Sequence, residues 1–313
     1  MSLRWLVAGI GDITSKRVIP AILEEPRSSL AGLVTRDPAK AQPYGCPAWT
    51  SVTDALRECA ADAVYIATPV YLHAPWTIES LRAGFHVLCE KPVALNHTEA
   101  VSMVDAARES GRTLGIAYYR RTYPKVRRAR QLIEEGAIGQ PVLAELNCHS
   151  WFQDEDGRRG WLLDPAKSGG GPLYDIASHR IDLLNYWFGE PRRVAAQLSN
   201  VVHPPRVEDS ATVMVEYAGG VRGVVDVRWH CRLDRDDCRI IGTQGELVLS
   251  PLSGPYLDHP GGRDVLPCHR NLHYPCVENF VDAVEGKAPL AASGASSVWV
   301  DWVTERALES NHR

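Results

Sequence analysis

The chain has 313 residues, 45% hydrophobic and 23% charged, with a formal net charge of −4. That balance describes a folded protein of one large or two ordinary domains and excludes disordered and fibrous classes. It gives no electrostatic footprint for nucleic acid, and no apolar run approaches the roughly 18 residues that cross a bilayer, so a cytoplasmic protein without a membrane partner is expected.

From the amino terminus, short apolar runs alternate with amphipathic stretches. Trp5–Ala8, Ala31–Thr35, Ala63–Thr68, Phe85–Cys89 and Thr113–Ala117 read as buried strands. Lys16–Glu25, Ala74–Ala83 and Thr98–Ser110 lie between them with helical patterning. Ser51 and Asn96 are placed as N-caps, and Gly84 and Gly111 as helix-ending glycines. Continuous apolar strands separated by helices predict an α/β Rossmann domain, a doubly wound parallel sheet, over residues 1–122.

The first strand runs into Gly9-Ile10-Gly11-Asp12-Ile13-Thr14. Glycines at this turn permit close backbone approach to a pyrophosphate seated on the following helix, so Gly9, Gly11, Asp12 and Ile13 are candidate dinucleotide contacts. The third glycine of the usual pattern is replaced by Thr14. The second strand ends in Thr35-Arg36-Asp37, where NAD enzymes place a carboxylate on the ribose. Thr35 and Arg36 suit a 2′-phosphate, which favours NADP over NAD. Asp37 serves instead if the register shifts by one, or caps the next helix.

Glu90-Lys91-Pro92 follows the apolar run 85–89 and sets an amine at a strand's carboxyl end. Beyond residue 122 the pattern changes. A helix is expected over Tyr123–Glu135, whose basic run Lys125–Arg130 reads as a solvated face, then a strand from Pro141 to about His149. The loop Trp151–Gly171 follows, in which aromatic, Asp and Arg groups such as Trp161 suit a sugar. Gly169-Gly170-Gly171 then opens a helix over Leu173–Phe188. Asp175 and His179 sit four apart on it, hence on one face, and the three glycines argue for close approach of another group. A lysine, a histidine and a carboxylate suit proton transfer beside a cofactor. Strands are expected at Arg193–Val202, Ala211–Tyr217, Arg222–His230, Cys238–Ile241 and Glu246–Ser250, with a hairpin at Ala218-Gly219-Gly220. Helices at Val277–Glu285 and Ser296–Leu308 finish a second, α+β domain over 123–313, with a large, mostly antiparallel open sheet.

Eight cysteines are scattered without a C-x-x-C pair and read as reduced thiols. Cys268, His269, His273 and Cys276 are the ligand types of zinc, but their spacing matches no standard module, and Pro267 and Pro275 stiffen the segment. No metal is expected. Asn96-His97-Thr98 matches a glycosylation triplet and is more simply a helix start.

Taken together, the motifs resemble the Gfo/Idh/MocA family of NAD(P)-dependent oxidoreductases. The resemblance runs through Gly9–Ile13, Ala67–His73, Glu90–Pro92, Tyr119–Pro124, Gly136–Gly139, Gly169–His179 with Asp182, and Ile241–Gly245. It implies that Thr68, Pro69, Leu72, His73, Glu90 and Lys91 line the cofactor. Lys91 and His179 would flank the reacting carbon with Asp175 beside them, and Tyr119 and Arg120 would meet substrate. It also implies a Lys-Pro bond often in cis, and dimers or tetramers built through the second-domain sheet. Tyr119 stands where an asparagine is frequent. The expected activity is hydride transfer between a nicotinamide and a secondary alcohol of a sugar, inositol or related polyol. Two other readings are an NAD-using glycosidase and a non-catalytic cofactor sensor, the latter disfavoured by the presence together of Lys91, Asp175 and His179.

Overall fold

The computed structural model describes residues 2–155, 157–204 and 206–311. The chain divides into two compact units. The first comprises residues up to Tyr119 together with His269–Val298, and the second comprises Arg120–Cys268 and residues from Trp299 onward.

The first unit is built on six strands: β1 (Leu3–Ala8), β2 (Ser28–Val34), β3 (Ala48–Trp49), β4 (Ala63–Ile66), β5 (His86–Cys89) and β6 (Leu114–Ile116). Their order is β3-β2-β1-β4-β5-β6 and every pairing is parallel. All four residues of β4 are buried, as are the last four of β1, so helices cover both faces. The order reverses between β1 and β4, and ligands of open α/β sheets bind outside the strands' carboxyl ends at such a switch point. Helix α1 (Ile19–Glu24) is preceded by one π-helical turn, Thr14–Val18. The helices α2 (Val52–Glu58), α3 (His73–Arg82) and α4 (His97–Ser110) follow the alternation expected. Ser51 Oγ accepts from the Asp54 amide at 3.3 Å and Asn96 Oδ1 from the Glu99 amide at 2.9 Å, so both are N-caps. Gly111 closes α4 with φ of 64°.

The boundary at 122 does not describe this unit fully. A helix far along the chain, Tyr274–Val284, buries Val277, Phe280 and Val281 within it, and the Phe280 ring lies 5.2 Å from Trp5. Arg27 adds ion pairs to Asp282 at 2.7 Å and Glu285 at 2.8 Å. The apolar face of that helix finds its cover on the first sheet, and residues 269–298 therefore belong there.

The second unit begins with α5 (Pro124–Glu134) and carries eight strands. These are β7 (Pro141–Trp151), β8 (Pro191–Ser199), β9 (Ser210–Tyr217), β10 (Arg222–Arg228), β11 (His230–Gly242), β12 (Glu246–Val248), β13 (Tyr256–His259) and β14 (Gly262–Val265). Their order is β14-β13-β12-β11-β7-β10-β9-β8, antiparallel except for the parallel pair of β7 with β10. Two short helical segments, Gly160–Leu163 and α6 (Pro165–Ser168), interrupt the loop 151–171, and Asp156 of that loop lies outside the described residues. Helix α7 (Ser178–Phe188) follows a π-helical turn, Leu173–Ala177. It packs on β10 where a Cβ at Gly223 would lie 2.5 Å from Leu184. The last elements are α8 (Tyr274–Val284), already placed in the first unit, and α9 (Gly294–Asn311).

The basic run at 125–130 is not uniformly solvated. Lys125 is fully buried, donating to the carbonyls of Leu249 at 3.2 Å and Pro251 at 2.6 Å, and burial pushes its pKa down to about 8. In the same unit Arg121 grips Asp182 on α7, Nε to Oδ2 at 2.9 Å and the terminal nitrogen to Oδ1 at 2.6 Å, with side chains 4% and 1% exposed. Burial lifts the Asp182 carboxyl to about 6 against the pull of Arg121. Asp182→Ala would strand the guanidinium charge and is expected to destabilise the protein by about 3–5 kcal/mol. Denaturant midpoints at an unchanged slope would show it. A loss under about 1 kcal/mol would mean that the pair contributes no more than a surface bridge does.

Candidate active site

In the first unit the turn after β1 is constrained at Gly9, which has φ of 97° and donates its amide to Val34 O at 2.8 Å. A Cβ there would lie 2.4 Å from Ala67 O, so this turn packs on the end of β4 and only glycine fits. At Gly11 a Cβ would meet no atom within 4 Å, leaving the backbone open to a ligand. Asp12 pairs with Lys16 at 2.8 Å on the surface, and Ile13 is exposed. The hydroxyls of Thr14 and Thr68 are buried without a hydrogen-bond partner among the described residues. An open glycine backbone, two unused buried hydroxyls and the switch-point position together fit a dinucleotide.

At the tip of β2, Thr35 is buried and its hydroxyl bonds the backbone of Asp37 at 3.2 Å. The Asp37 carboxylate accepts from the Ala39 amide at 3.1 Å, so it caps the following turn. Arg36 is exposed, and no hydrogen bond or ion pair engages it among the described residues.

The loops after β4 and β5 are tied together. Thr68 and Pro69 follow β4, and Leu72, half-buried, precedes α3. His73 is 1% exposed, with Nδ1 2.8 Å from Pro92 O and Nε2 2.9 Å from Thr68 O. Burial lowers its pKa, opposed by those two carbonyls. A neutral imidazole has one N–H, so one of these carbonyls accepts from it while the other lies against the second nitrogen, and His73 sits as a bracket between the two loops. The Lys91-Pro92 bond is cis. Lys91, partly exposed, stands at the carboxyl end of β5, while Glu90 is buried and accepts from Tyr65 Oη at 2.8 Å. His273 Nε2 lies 3.2 Å from the same Glu90 oxygen. The Tyr119 ring is buried with its centroid 4.6 Å from that of His273.

Three of the four residues of zinc-ligand type at 268–276 have other neighbours. His273 bonds Glu90, His269 stacks on Tyr274 at 4.5 Å, and Cys276 is buried with its thiol pushed up to about 12. Among the described residues no group of three His, Cys, Asp or Glu is placed to hold a metal.

In the second unit the glycine triplet has an internal explanation. A Cβ at Gly169 or Gly170 would strike the Tyr174 ring at 2.2 and 2.7 Å, and one at Gly171 would lie 2.0 Å from Glu208 O. The close approach read from sequence is therefore to this chain's own groups. Glu208 Oε1 accepts the amides of Gly171 at 2.9 Å and Leu173 at 3.0 Å, which anchors the start of the helical segment. No pattern in the sequence pointed to that carboxylate.

Asp175 lies in the π-helical turn and His179 in the first turn of α7. His179 is only 6% exposed. The Asp175 carboxylate is 3.7 Å from Arg159, whose guanidinium also lies 4.7 Å from the centroid of the Phe152 ring. The 151–161 loop is thereby tied to the histidine helix. Trp161 is partly buried against Phe152, Leu162, Val207 and Trp229 and so helps to pack that loop. The Arg120 guanidinium lies 5.7 Å from the Tyr123 ring centroid.

Two family models match the chain. Residues 3–118 match the oxidoreductase family, NAD-binding Rossmann fold, and residues 126–248 match the GFO/IDH/MocA C-terminal domain. The chain is 31% identical over 309 residues to 1,5-anhydro-D-fructose reductase of Ensifer adhaerens, covering 95% of this chain and 92% of that protein. It is 28% identical over 270 residues to D-xylose 1-dehydrogenase [NADP(+)] of Haloarcula marismortui, covering 82% and 74%. A crystal structure of an oxidoreductase from Agrobacterium radiobacter in complex with NAD+, L-tartaric acid and magnesium has the same fold. Its TM-score is 0.88 at 21% identity, with coverage of 100% of this chain and 97% of that one. With a Rossmann unit that fits a dinucleotide, a mixed open-sheet unit and a relative matched almost end to end, this chain belongs to the Gfo/Idh/MocA family and is an oxidoreductase acting on CH–OH groups.

Proposed function

We propose that the protein interconverts a secondary alcohol and the corresponding ketone on a sugar or related polyol, with NADP(H) as the preferred partner. The observation that carries this reading is the burial of His179. An ordinary solvated helix pair would leave that imidazole in water. The bound nicotinamide supplies the hydride acceptor or donor. In the oxidative direction the imidazole of His179 takes the hydroxyl proton, a task suited to a group whose unperturbed pKa is near 6.5. The Lys91 ammonium donates a hydrogen bond to the same oxygen as its negative charge develops. Asp175, held towards the 151–161 loop by Arg159, binds a neighbouring hydroxyl. Relatives named as a sugar reductase and a sugar dehydrogenase support the substrate class. A panel of sugars, anhydrosugars and inositols, with their keto forms, followed at the nicotinamide absorbance with each cofactor, tests the reading. Binding of NADP(H) with no turnover across that panel would count against it and favour a cofactor sensor.

The preference for NADP(H) rests on Arg36, exposed and unengaged beside a Thr35 hydroxyl, and on Asp37, whose carboxylate already caps the next turn. Arg36→Ala is expected to weaken NADP(H) by about 10- to 100-fold, the scale of a hydrogen bond to a charged group, and to leave NAD(H) unchanged. Titration calorimetry decides it. A clear preference for NAD(H), unaltered in the variant, would reverse the assignment.

A further inference from the structure

Behind Lys91 the first unit holds a buried polar cluster assembled from three distant parts of the chain. Glu90 Oε1 receives Tyr65 Oη from β4 at 2.8 Å and faces His273 Nε2 at 3.2 Å, 183 residues further on. The other carboxylate oxygen, Oε2, accepts the Lys91 backbone amide at 3.3 Å. His273 is wholly buried at the residue that leads into α8, and its ring lies over Tyr119. Its second ring nitrogen, Nδ1, has no hydrogen-bond partner among the described residues. Among the described residues the ring therefore makes its hydrogen bond to Glu90 alone, and a histidine kept there for packing would not need that nitrogen aimed at a carboxylate.

We propose that His273 is a positioning residue for Lys91: with Tyr65 it fixes the Glu90 carboxylate as an ionised acceptor on the Lys91 backbone, and so sets the place and surroundings of the amine. The inference rests on the reaction proposed above and adds a residue to it. The electrostatics agree in direction. Burial raises the Glu90 carboxyl, but the bond and charge of His273, the Tyr65 hydroxyl and the Lys91 charge outweigh it and hold the carboxyl below its ordinary range. The titratable groups facing Glu90 are Tyr65 from β4, Lys91 beside it, His73 from α3, and His273 and Cys276 from the α8 segment. Of these only His273, Tyr65 and Lys91 pull the carboxyl downward among the principal contributions.

The test compares His273→Phe, which keeps a ring on Tyr119 and removes the donor, with His273→Gln, which restores an N–H donor. Tyr65→Phe removes the other donor at the cost of a single oxygen, should the first variant fold poorly. His273→Phe is expected to lower kcat about 10- to 100-fold, the scale of one lost hydrogen bond to a charged group. The inflection that Glu90 contributes to the acid side of kcat, below the one given by His179 as base, should move up by about 1–3 pH units, because a carboxyl that loses an adjacent opposite charge protonates more readily. His273→Gln should recover most of both, and Tyr65→Phe should shift that inflection in the same direction. A substrate-free readout runs in parallel: lysines are reductively methylated with 13C, and the Lys91 resonance, assigned by Lys91→Arg, is titrated for the inflection caused by Glu90. That inflection should rise in His273→Phe and return in His273→Gln. An inflection that stays put in both His273→Phe and Tyr65→Phe overturns the proposal. So does a kcat loss without a shifted acid-side inflection that His273→Gln fails to rescue. A shifted inflection in a protein that turns over no sugar or polyol would overturn the function proposed above and leave the link from His273 to Lys91 standing.

Discussion

His179→Ala is expected to lower kcat by roughly 10²–10⁴-fold, the usual contribution of a positioned general base. The residue is buried in the first turn of α7, so the change also removes a packed ring. His179→Gln controls for this, since it keeps bulk and hydrogen bonding but cannot take a proton at neutral pH. Both variants should show the loss in kcat while cofactor affinity stays close to wild type, because the proposed mechanism assigns the imidazole to the substrate. Steady-state kinetics with any accepted sugar, together with cofactor titration, measures the two separately. Near-normal turnover in His179→Gln would remove the residue from proton transfer.

Lys91→Ala should cost about 10²–10³ in kcat, the scale of losing one preorganised donor to a developing oxyanion. The residue follows β5 directly, beside a cis proline that His73 holds through its carbonyl. Its backbone is thus well fixed, and truncation of the side chain should leave the fold and its denaturation midpoint little changed. Under the proposed mechanism Lys91 and His179 serve one proton transfer, and the double variant should then fall well short of the product of the two single losses. Full multiplicativity would show that the two groups act on separate steps.

Much of this arrangement was legible in the sequence, for reasons that can be named. The strands β1, β4 and β5 are buried on both faces, and burial of that kind leaves continuous apolar runs in the sequence. Glu-Lys-Pro at the end of one such run therefore marked a strand tip directly. The short edge pair β13 and β14 was not foreseen, because residues such as Asp258, His259, Arg263 and Asp264 give no alternation of apolar and polar character. Strand β11 extends across the charged stretch 232–237 for the same reason and with a register shift between His230 and Arg235. The glycine triplet was visible but its cause was not, since Tyr174 and Glu208 come against it only in three dimensions. In the sequence His273 stands among residues of metal-ligand type; its pairing with Glu90 spans 183 residues and leaves no local pattern. Tyr65 offered a faint signal, a hydroxyl inside an otherwise apolar strand.

The return of residues 269–298 to the first unit has a bearing on synthesis. A ribosome delivers β1 through β6 early, yet the surface around Trp5 is covered by Phe280, and Arg27 meets Asp282, 255 positions later in the chain. The nascent nucleotide-binding half therefore waits, with an apolar patch uncovered, until nearly the whole polypeptide has emerged. Long-range closure of this kind slows folding and lengthens exposure to aggregation. A gene fragment ending near residue 122 would carry the same deficit permanently, whereas a circular permutant that begins at 269 would present the covering helix first.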